Sequence, residues 1–276
     1  TGFGQTGPMA EEAGYDYLIQ ARGGLMSVTG AAEGEPGAGP QRVGLAVSDL
    51  TTGMYSTIAI LAALRHRDST GEGQHIDMAL FDVQVGWLAN QAQNYFTSDR
   101  TPQRTGAHHP NLTPYQPFNT KDGQLILAIG NDAQFARFCK EADCEHIAED
   151  EKFSTNPQRV RNRIELIEHI SSIMRTRTCQ AWMDALRKID VPCGPIQDIS
   201  EVFDDPQVQH RGMKIELTHP EHGPVPSVAN PIKYSNTPIE YDKAPPTLGQ
   251  DTEEVLRRIL GKTSEDLLAL RSTDVT

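Results

Sequence analysis

One carboxylate with a helix pattern behind it is the strongest chemical feature of the sequence. In residues 42–53 (RVGLAVSDLTTG) an apolar run ends in Ser48-Asp49, and an amphipathic pattern begins straight after it. Asp49 there has two uses. As an N-cap, its oxygen satisfies a free backbone N–H, and residue type alone favours that role. As a covalent nucleophile, it gains from a helix N-terminus, where the dipole favours negative charge and N–H groups stabilise an anion. The adjacent His108 and His109 offer a carboxylate contact or an oxyanion donor, or are simply exposed linker residues. Two neighbouring histidines lack a third ligand, so no metal is expected. Gly2-x-Gly4-x-x-Gly7 formally matches a dinucleotide fingerprint, but no strand precedes it and no helix pattern follows Pro8. It reads as a glycine loop where backbone approaches something closely. There is no HExxH and no CxxC.

The elements that must position Asp49 follow from periodicity. The stretch 42–47 reads as a strand that hands over to a helix. Leu50, Met54, Ile58, Leu61 and Leu64 step by three and four and form one helix face. Arg65, His66 and Arg67 suit its C-terminal end. A turn at 68–73, a strand at 74–78 and a helix at 80–96 with Val83, Trp87 and Leu88 inward complete an α/β unit. Upstream, 13–29 reads as a helix broken at Gly23-Gly24, followed by a Gly/Pro loop at 30–41.

Downstream, 97–114 is polar and Pro-rich. A hairpin is expected at 115–119 and 124–129, because Thr120-Lys121-Asp122-Gly123 is a strong turn signal. Helices are expected at 132–142, 161–175 and 178–189, short strands at 214–217 and 225–228, and closing helices at 252–260 and 264–271. Asp251 with Glu254 fits a capping box, and Gly261 fits a stop. The expected organisation is a large domain part over 1–98 that holds Asp49, a linker at 99–114, and a small α+β domain over 115–205. A linker and C-terminal segment at 206–276 then returns to the large domain.

Composition bounds the function. The chain of 276 residues, with a net charge of −12, disfavours a nucleic-acid partner, since a phosphate backbone would be repelled. Small anionic ligands respond to local charge and remain open. No contiguous run approaches the roughly 18 apolar residues of a membrane span, and no signal peptide is visible, so a cytoplasmic protein is expected. Cys139, Cys144, Cys179 and Cys193 are expected to be reduced thiols. The chain begins at Thr1 without methionine and reads as a fragment.

Several motifs occur in a familiar order: TGFGQTGP at residue 1, AGYDYLIQARGGLMSVTG at 13, VGLAVSDLTTGMYSTIAILAALRHRDSTGEGQHIDMALFD at 43, VPCGPIQDISEVFDDPQV at 191 and PPTLGQDTEEVLRRILG at 245. Together they resemble the class III CoA-transferases, the family of formyl-CoA transferase and carnitine CoA-transferase. The likeness covers essentially the whole chain. It implies an α/β fold with a partial Rossmann-like large domain and a small α+β domain on long linkers. It also implies two chains threaded through each other as an interlocked homodimer. The family's nucleophilic aspartate falls on Asp49. The implied reaction moves CoA from an acyl-CoA donor to a carboxylic acid through mixed anhydrides and an aspartyl-CoA thioester, with CoA as substrate and no cofactor.

Tyr15 stands where the acyl-CoA racemases of the superfamily carry a histidine, and a tyrosine is a poor proton shuttle at the α-carbon. The likeness therefore implies transfer rather than racemisation. GAHHPNLTPYQPF at 106 looks like the branch that handles dicarboxylates such as succinate and glutarate. Only Gly106 keeps the family's glycine-rich loop, and His108 or His109 is expected to contact substrate. Phe3, Gly4 and Leu80 match positions near the CoA thiol arm. Family members also carry a further segment ahead of this point, holding much of the CoA nucleotide site, so an inactive truncated chain is the competing expectation.

Overall fold

The computed structural model describes residues 1–273. The chain divides into two compact units, Thr1–Ile196 and one that begins at Gln197. Unit 1 opens with five helices: α1 (Asp16–Arg22), α2 (Leu25–Val28), α3 (Val47–Thr70), α4 (Leu80–Gly86) and α5 (Ala89–Ser98). It continues with β1 (Tyr115–Asn119), β2 (Gln124–Ala128), α6 (Asp132–Glu141), α7 (Glu145–Glu149), α8 (Asn156–Arg161), α9 (Arg163–Met174), α10 (Cys179–Lys188) and β3 (Cys193–Pro195). In the second unit lie α11 (Ile199–Asp204), α12 (Pro206–His210), β4 (Lys214–His219), β5 (Gly223–Val228), α13 (Thr252–Leu260) and α14 (Ser264–Ser272).

The hairpin forms where its turn demanded. β1 and β2 pair antiparallel with Tyr115 opposite Ala128 and Asn119 opposite Gln124. Thr120 Oγ1 accepts the Gly123 N–H and closes the turn. β3 adds to the other edge of β2, with Leu127 opposite Cys193. The buried face of this sheet (Phe118, Leu125, Leu127) meets α6, α9 and α10 in the main apolar core. Phe138 and Trp182 stack there at 6.1 Å. The indole N–H of Trp182 donates to the Met174 carbonyl at 2.8 Å, so its one polar atom is satisfied inside that core.

The first part of unit 1 departs from the expected pattern. No strand occurs before Tyr115 among the described residues. Segments 42–46 and 74–78 form no strand, and the chain bends at Gly44-Leu45; the Thr1 and Gly2 carbonyls instead accept from the Leu80 and Phe81 N–H groups at 3.0 Å each. The expected helix over 80–96 is two helices, broken where Ala89 takes a positive φ of 45°. Val83 is buried, whereas Trp87 is 41% exposed.

Helix α3 is 24 residues long and ends at Gly71, whose positive φ of 79° lets its N–H close onto the Arg67 carbonyl. By length and composition it is long and apolar enough to cross a membrane. The contiguous-run reading missed this because Thr51, Thr52, Ser56 and Thr57 interrupt the apolar residues without lowering the average much. Its periodic face is uncovered in this chain: Leu50, Met54, Ile58 and Leu61 are all exposed, Ile58 by 63%.

The second unit pairs β4 with β5 antiparallel. Its expected capping box at Asp251 does not form. Asp251 takes φ −99° and ψ 3° with no side-chain cap, and its carboxylate faces Lys243 at 3.7 Å instead. Capping boxes form at Asp198–Glu201 and Thr263–Asp266, where the cap residue is extended. Gly261 ends α13 in the left-handed conformation, as its position suggested.

Candidate active site

The start of α3 is held from outside the helix. Ala46 is the N-cap and has no side chain able to cap, so Asp49 is the third helical residue rather than the cap. Capping passes to α1. Asp16 Oδ1 accepts the Ser48 N–H at 2.8 Å, and Asp16 Oδ2 accepts from Gln20 Nε2 at 2.7 Å. Gln20 is fully buried and reads the incoming chain, accepting the Val43 N–H at 2.9 Å and donating to the Leu45 carbonyl at 3.3 Å. On the opposite side the Ser48 hydroxyl donates to Gln84 Oε1 of α4 at 2.7 Å, with both residues buried.

This frame releases Asp49. Its carboxylate makes no hydrogen bond among the described residues, and the residue is exposed. Its own N–H finds no acceptor either. A negative charge, or a transient oxyanion formed there, therefore meets an open donor at the positive end of a long helix.

Gln84 is pinned by Gly23. A Cβ on Gly23 would lie 2.4 Å from Gln84 Cγ and 2.7 Å from the Ile19 carbonyl. Gly23→Ala is therefore expected to destabilise the fold by about 1–3 kcal/mol through overpacking, read by urea unfolding. Unchanged stability would show that Gln84 is not fixed there.

Phe3, Gly4 and Leu80 come together as a second group. Phe3 is buried with its ring 5.5 Å from Phe81 and the Arg22 guanidinium 5.0 Å above it. The Gly4 N–H donates to Thr1 Oγ1 at 2.9 Å, and the Leu80 N–H to the Thr1 carbonyl at 3.0 Å. Leu80 begins α4, the helix that carries Gln84, so this group connects to the Ser48 frame through one element. Tyr15 is 78% exposed and directly precedes Asp16, which binds the residue before Asp49.

Gly106, His108 and His109 form a separate group with no hydrogen bond to residues 45–49. The Gly106 N–H donates to the Gly30 carbonyl at 3.1 Å. A cleft of about 400 Å³ lies between this loop and residues 30–41. The His109 N–H donates to the Tyr115 carbonyl at 3.0 Å, and the Asn111 amide joins Asn90 and Asn94 of α5. Burial, then the Arg163 charge, lowers the pKa of both histidines from the ordinary 6.5.

The sign follows from linkage. The unfolded chain takes up these protons first, so stability is full above about pH 6.5 and is lost as the pH falls below it towards the folded-state values. A His108→Gln/His109→Gln variant should lose less thermal stability than wild type between about pH 7 and pH 5.5. Equal losses would sink that assignment.

Among the described residues no cluster of His, Cys, Asp and Glu could hold a metal. Asp16, Gln20, Gln84 and Arg163 were not singled out by the sequence. The four-residue spacing of Asp16 and Gln20 on one helix face was the available signal.

With this geometry in hand, comparison with known proteins identifies the group. The chain matches CoA-transferase family III over residues 1–252 and belongs to that family. It is 47% identical over 259 residues to a succinate–glutarate CoA-transferase of Agrobacterium fabrum, covering 94% of this chain and 64% of the relative. It is 38% identical to a succinyl-CoA:glutarate CoA-transferase of Mus musculus, covering 94% and 59%. The crystal structure of a CAIB/BAIF family protein from Brucella suis superposes with a TM-score of 0.77 at 43% identity, over 94% of this chain and 66% of that one. The α/β fold expected from the motifs is thus the family's fold. The chain spans about three fifths of the length of the curated relatives it matches.

Proposed function

We propose that the protein transfers CoA from an acyl-CoA donor to a carboxylic acid, with a dicarboxylic acid as acceptor, using Asp49 as covalent nucleophile. The observation that carries this reading is the freed Asp49 carboxylate: third in α3, exposed, unbonded among the described residues, and beside its own open N–H. A residue kept only as a cap would be bonded to the backbone it caps. The names of the relatives supply the dicarboxylate class.

The chemistry runs in four exchanges. The Asp49 carboxylate attacks the thioester carbonyl, expelling CoA thiolate and leaving a mixed anhydride. The thiolate attacks the aspartyl carbonyl of that anhydride, releasing the donor acid and forming an aspartyl-CoA thioester. The acceptor carboxylate attacks this thioester, which again expels thiolate and gives a second anhydride. The thiolate then attacks the acceptor's carbonyl, which releases new acyl-CoA and restores Asp49. The anhydride gives a weak carboxylate electrophile its reactivity, and water must be kept away for the same reason. The open Asp49 N–H is suited to the oxyanions formed on the aspartyl carbonyl. Phe3, Gly4, Tyr15 and Leu80 belong to the CoA side in this reading, and Gly106, His108 and His109 to the acid side. CoA is a substrate and no cofactor is called for; the interlocked homodimer is part of the proposal on family resemblance, and the cytoplasmic setting is part of it on cysteine usage.

The test is direct. Purified protein is mixed with succinyl-CoA and glutarate and the products are read by mass spectrometry. Glutaryl-CoA and succinate are expected. Exchange of α-protons with deuterated water, without acid-dependent transfer, would instead favour a racemase and overturn the proposal.

A further inference from the structure

We infer that His109 and Arg163 form a recognition site for a carboxylate of the acid substrate, an assignment that rests on the transferase reading above.

Arg163 opens α9 and is half-buried. Its Nη2 donates to the Pro110 and Leu112 carbonyls at 3.2 and 3.4 Å. Its Nη1 is buried with no partner. Among the described residues no carboxylate forms an ion pair with it, and burial alone moves its pKa downward. Its neighbour on α8, Arg159, has Asp132 at 2.7 Å, so the missing counter-charge is particular to Arg163. A half-buried cation held by carbonyls alone is costly unless an anion joins it.

The same loop fixes His109. Its peptide carbonyls at Pro110 and Leu112 turn to Arg163, while its N–H groups at Asn111 and Leu112 turn to His109 Nδ1, at 3.0 and 3.1 Å. Two donors on Nδ1 require a lone pair there, which puts the proton on Nε2. The ring leans on Tyr115 of β1 at 5.3 Å. Asn156 of α8 braces the loop by donating to the Asn111 carbonyl at 2.9 Å. Arg163 and Tyr115 are the charged or titratable groups shown against this ring, and among the described residues no acid acts on it.

The result is one oriented N–H donor with an uncompensated positive charge behind it. That complement suits a singly charged carboxylate; a phosphate would call for more donors. His109 makes the contact, and Arg163 acts as a positioning residue that supplies charge and holds the loop.

Imidazole signals of the purified protein, assigned with His109→Asn, are followed by NMR during titration with glutarate and with glutaramide, its uncharged analogue. Glutarate should shift the His109 signal and glutaramide should not. His109→Asn keeps an acceptor for the loop N–H groups and removes the Nε2–H donor; it should weaken glutarate binding by about 10- to 100-fold. Arg163→Lys, which keeps the charge and loses the fork, should weaken it less. A His109 signal unmoved by saturating glutarate, or moved equally by glutaramide, overturns the inference, and the wild-type titration decides this whether or not a variant folds. Transfer activity without the His109 shift speaks against this site alone. The shift without any transfer speaks against the transferase reading.

Discussion

Asp49→Asn is expected to lower CoA transfer on the order of 10³-fold or more while leaving thermal stability almost unchanged. The two outcomes separate because the carboxylate has no hydrogen bond to lose. Its structural contribution reduces to charge near a helix N-terminus, worth about 0.3–1 kcal/mol. The capping task that would have made it structural is done by Asp16, which holds the Ser48 N–H at 2.8 Å. Asp49→Glu keeps the charge but moves it by one methylene, and a displacement of about 1 Å can cost roughly 10²-fold in rate. Parallel assays of turnover and melting temperature check both variants. A large fall in stability with proportionate loss of activity would make Asp49 a structural residue.

The largest effect on stability is expected at Arg159. Its side chain is 0% exposed. It donates to the Thr113 carbonyl at 2.8 Å, the Phe153 carbonyl at 3.0 Å and Asp132 Oδ1 at 2.7 Å, with its guanidinium 4.5 Å above the Phe135 ring. Arg159→Met would leave two buried carbonyls without their donor while filling most of the volume. Breaking a buried pair from this side costs about 3–5 kcal/mol. Asp132 is 53% exposed, so solvent takes over much of its role. Asp132→Asn should therefore cost only about 1 kcal/mol, although it also accepts the Asn156 N–H at 2.8 Å. Urea unfolding of both variants reads the difference. Equal losses would show that the ion pair, rather than the carbonyl contacts, carries the energy.

These two residues mark what a sequence can and cannot reveal. The β1–β2 hairpin was legible because alternation and an Asp-Gly turn are local signals. Helices α6, α9 and α10 were legible from the period of Phe135 and Phe138, of Ile164, Ile167 and Ile170, and of Trp182 and Leu186, although Ile164 is 80% exposed; the short α7 and α8 were not foreseen. The start of α3 was misplaced because its cap comes from Asp16, more than thirty residues earlier, and no local pattern encodes that bond. The break before α5 follows Gly86, the last residue of α4, a breaker signal that the expectation of one helix over 80–96 passed over. The strand expected at 74–78 failed because a strand exists only with a neighbour. Family membership was legible from ordered motifs. The frame of Asp16, Gln20, Ser48 and Gln84 was not, since its hydrogen bonds join positions far apart in the chain.

The central claim is that Asp49 becomes covalently acylated. Protein mixed with an acyl-CoA donor, quenched with hydroxylamine and digested, reports this by peptide mass spectrometry. A donor-dependent hydroxamate on Asp49 is the result expected from a mixed anhydride or thioester there. Full CoA transfer with an unmodified Asp49 peptide, or with Asp49→Ala as active as wild type, would contradict it.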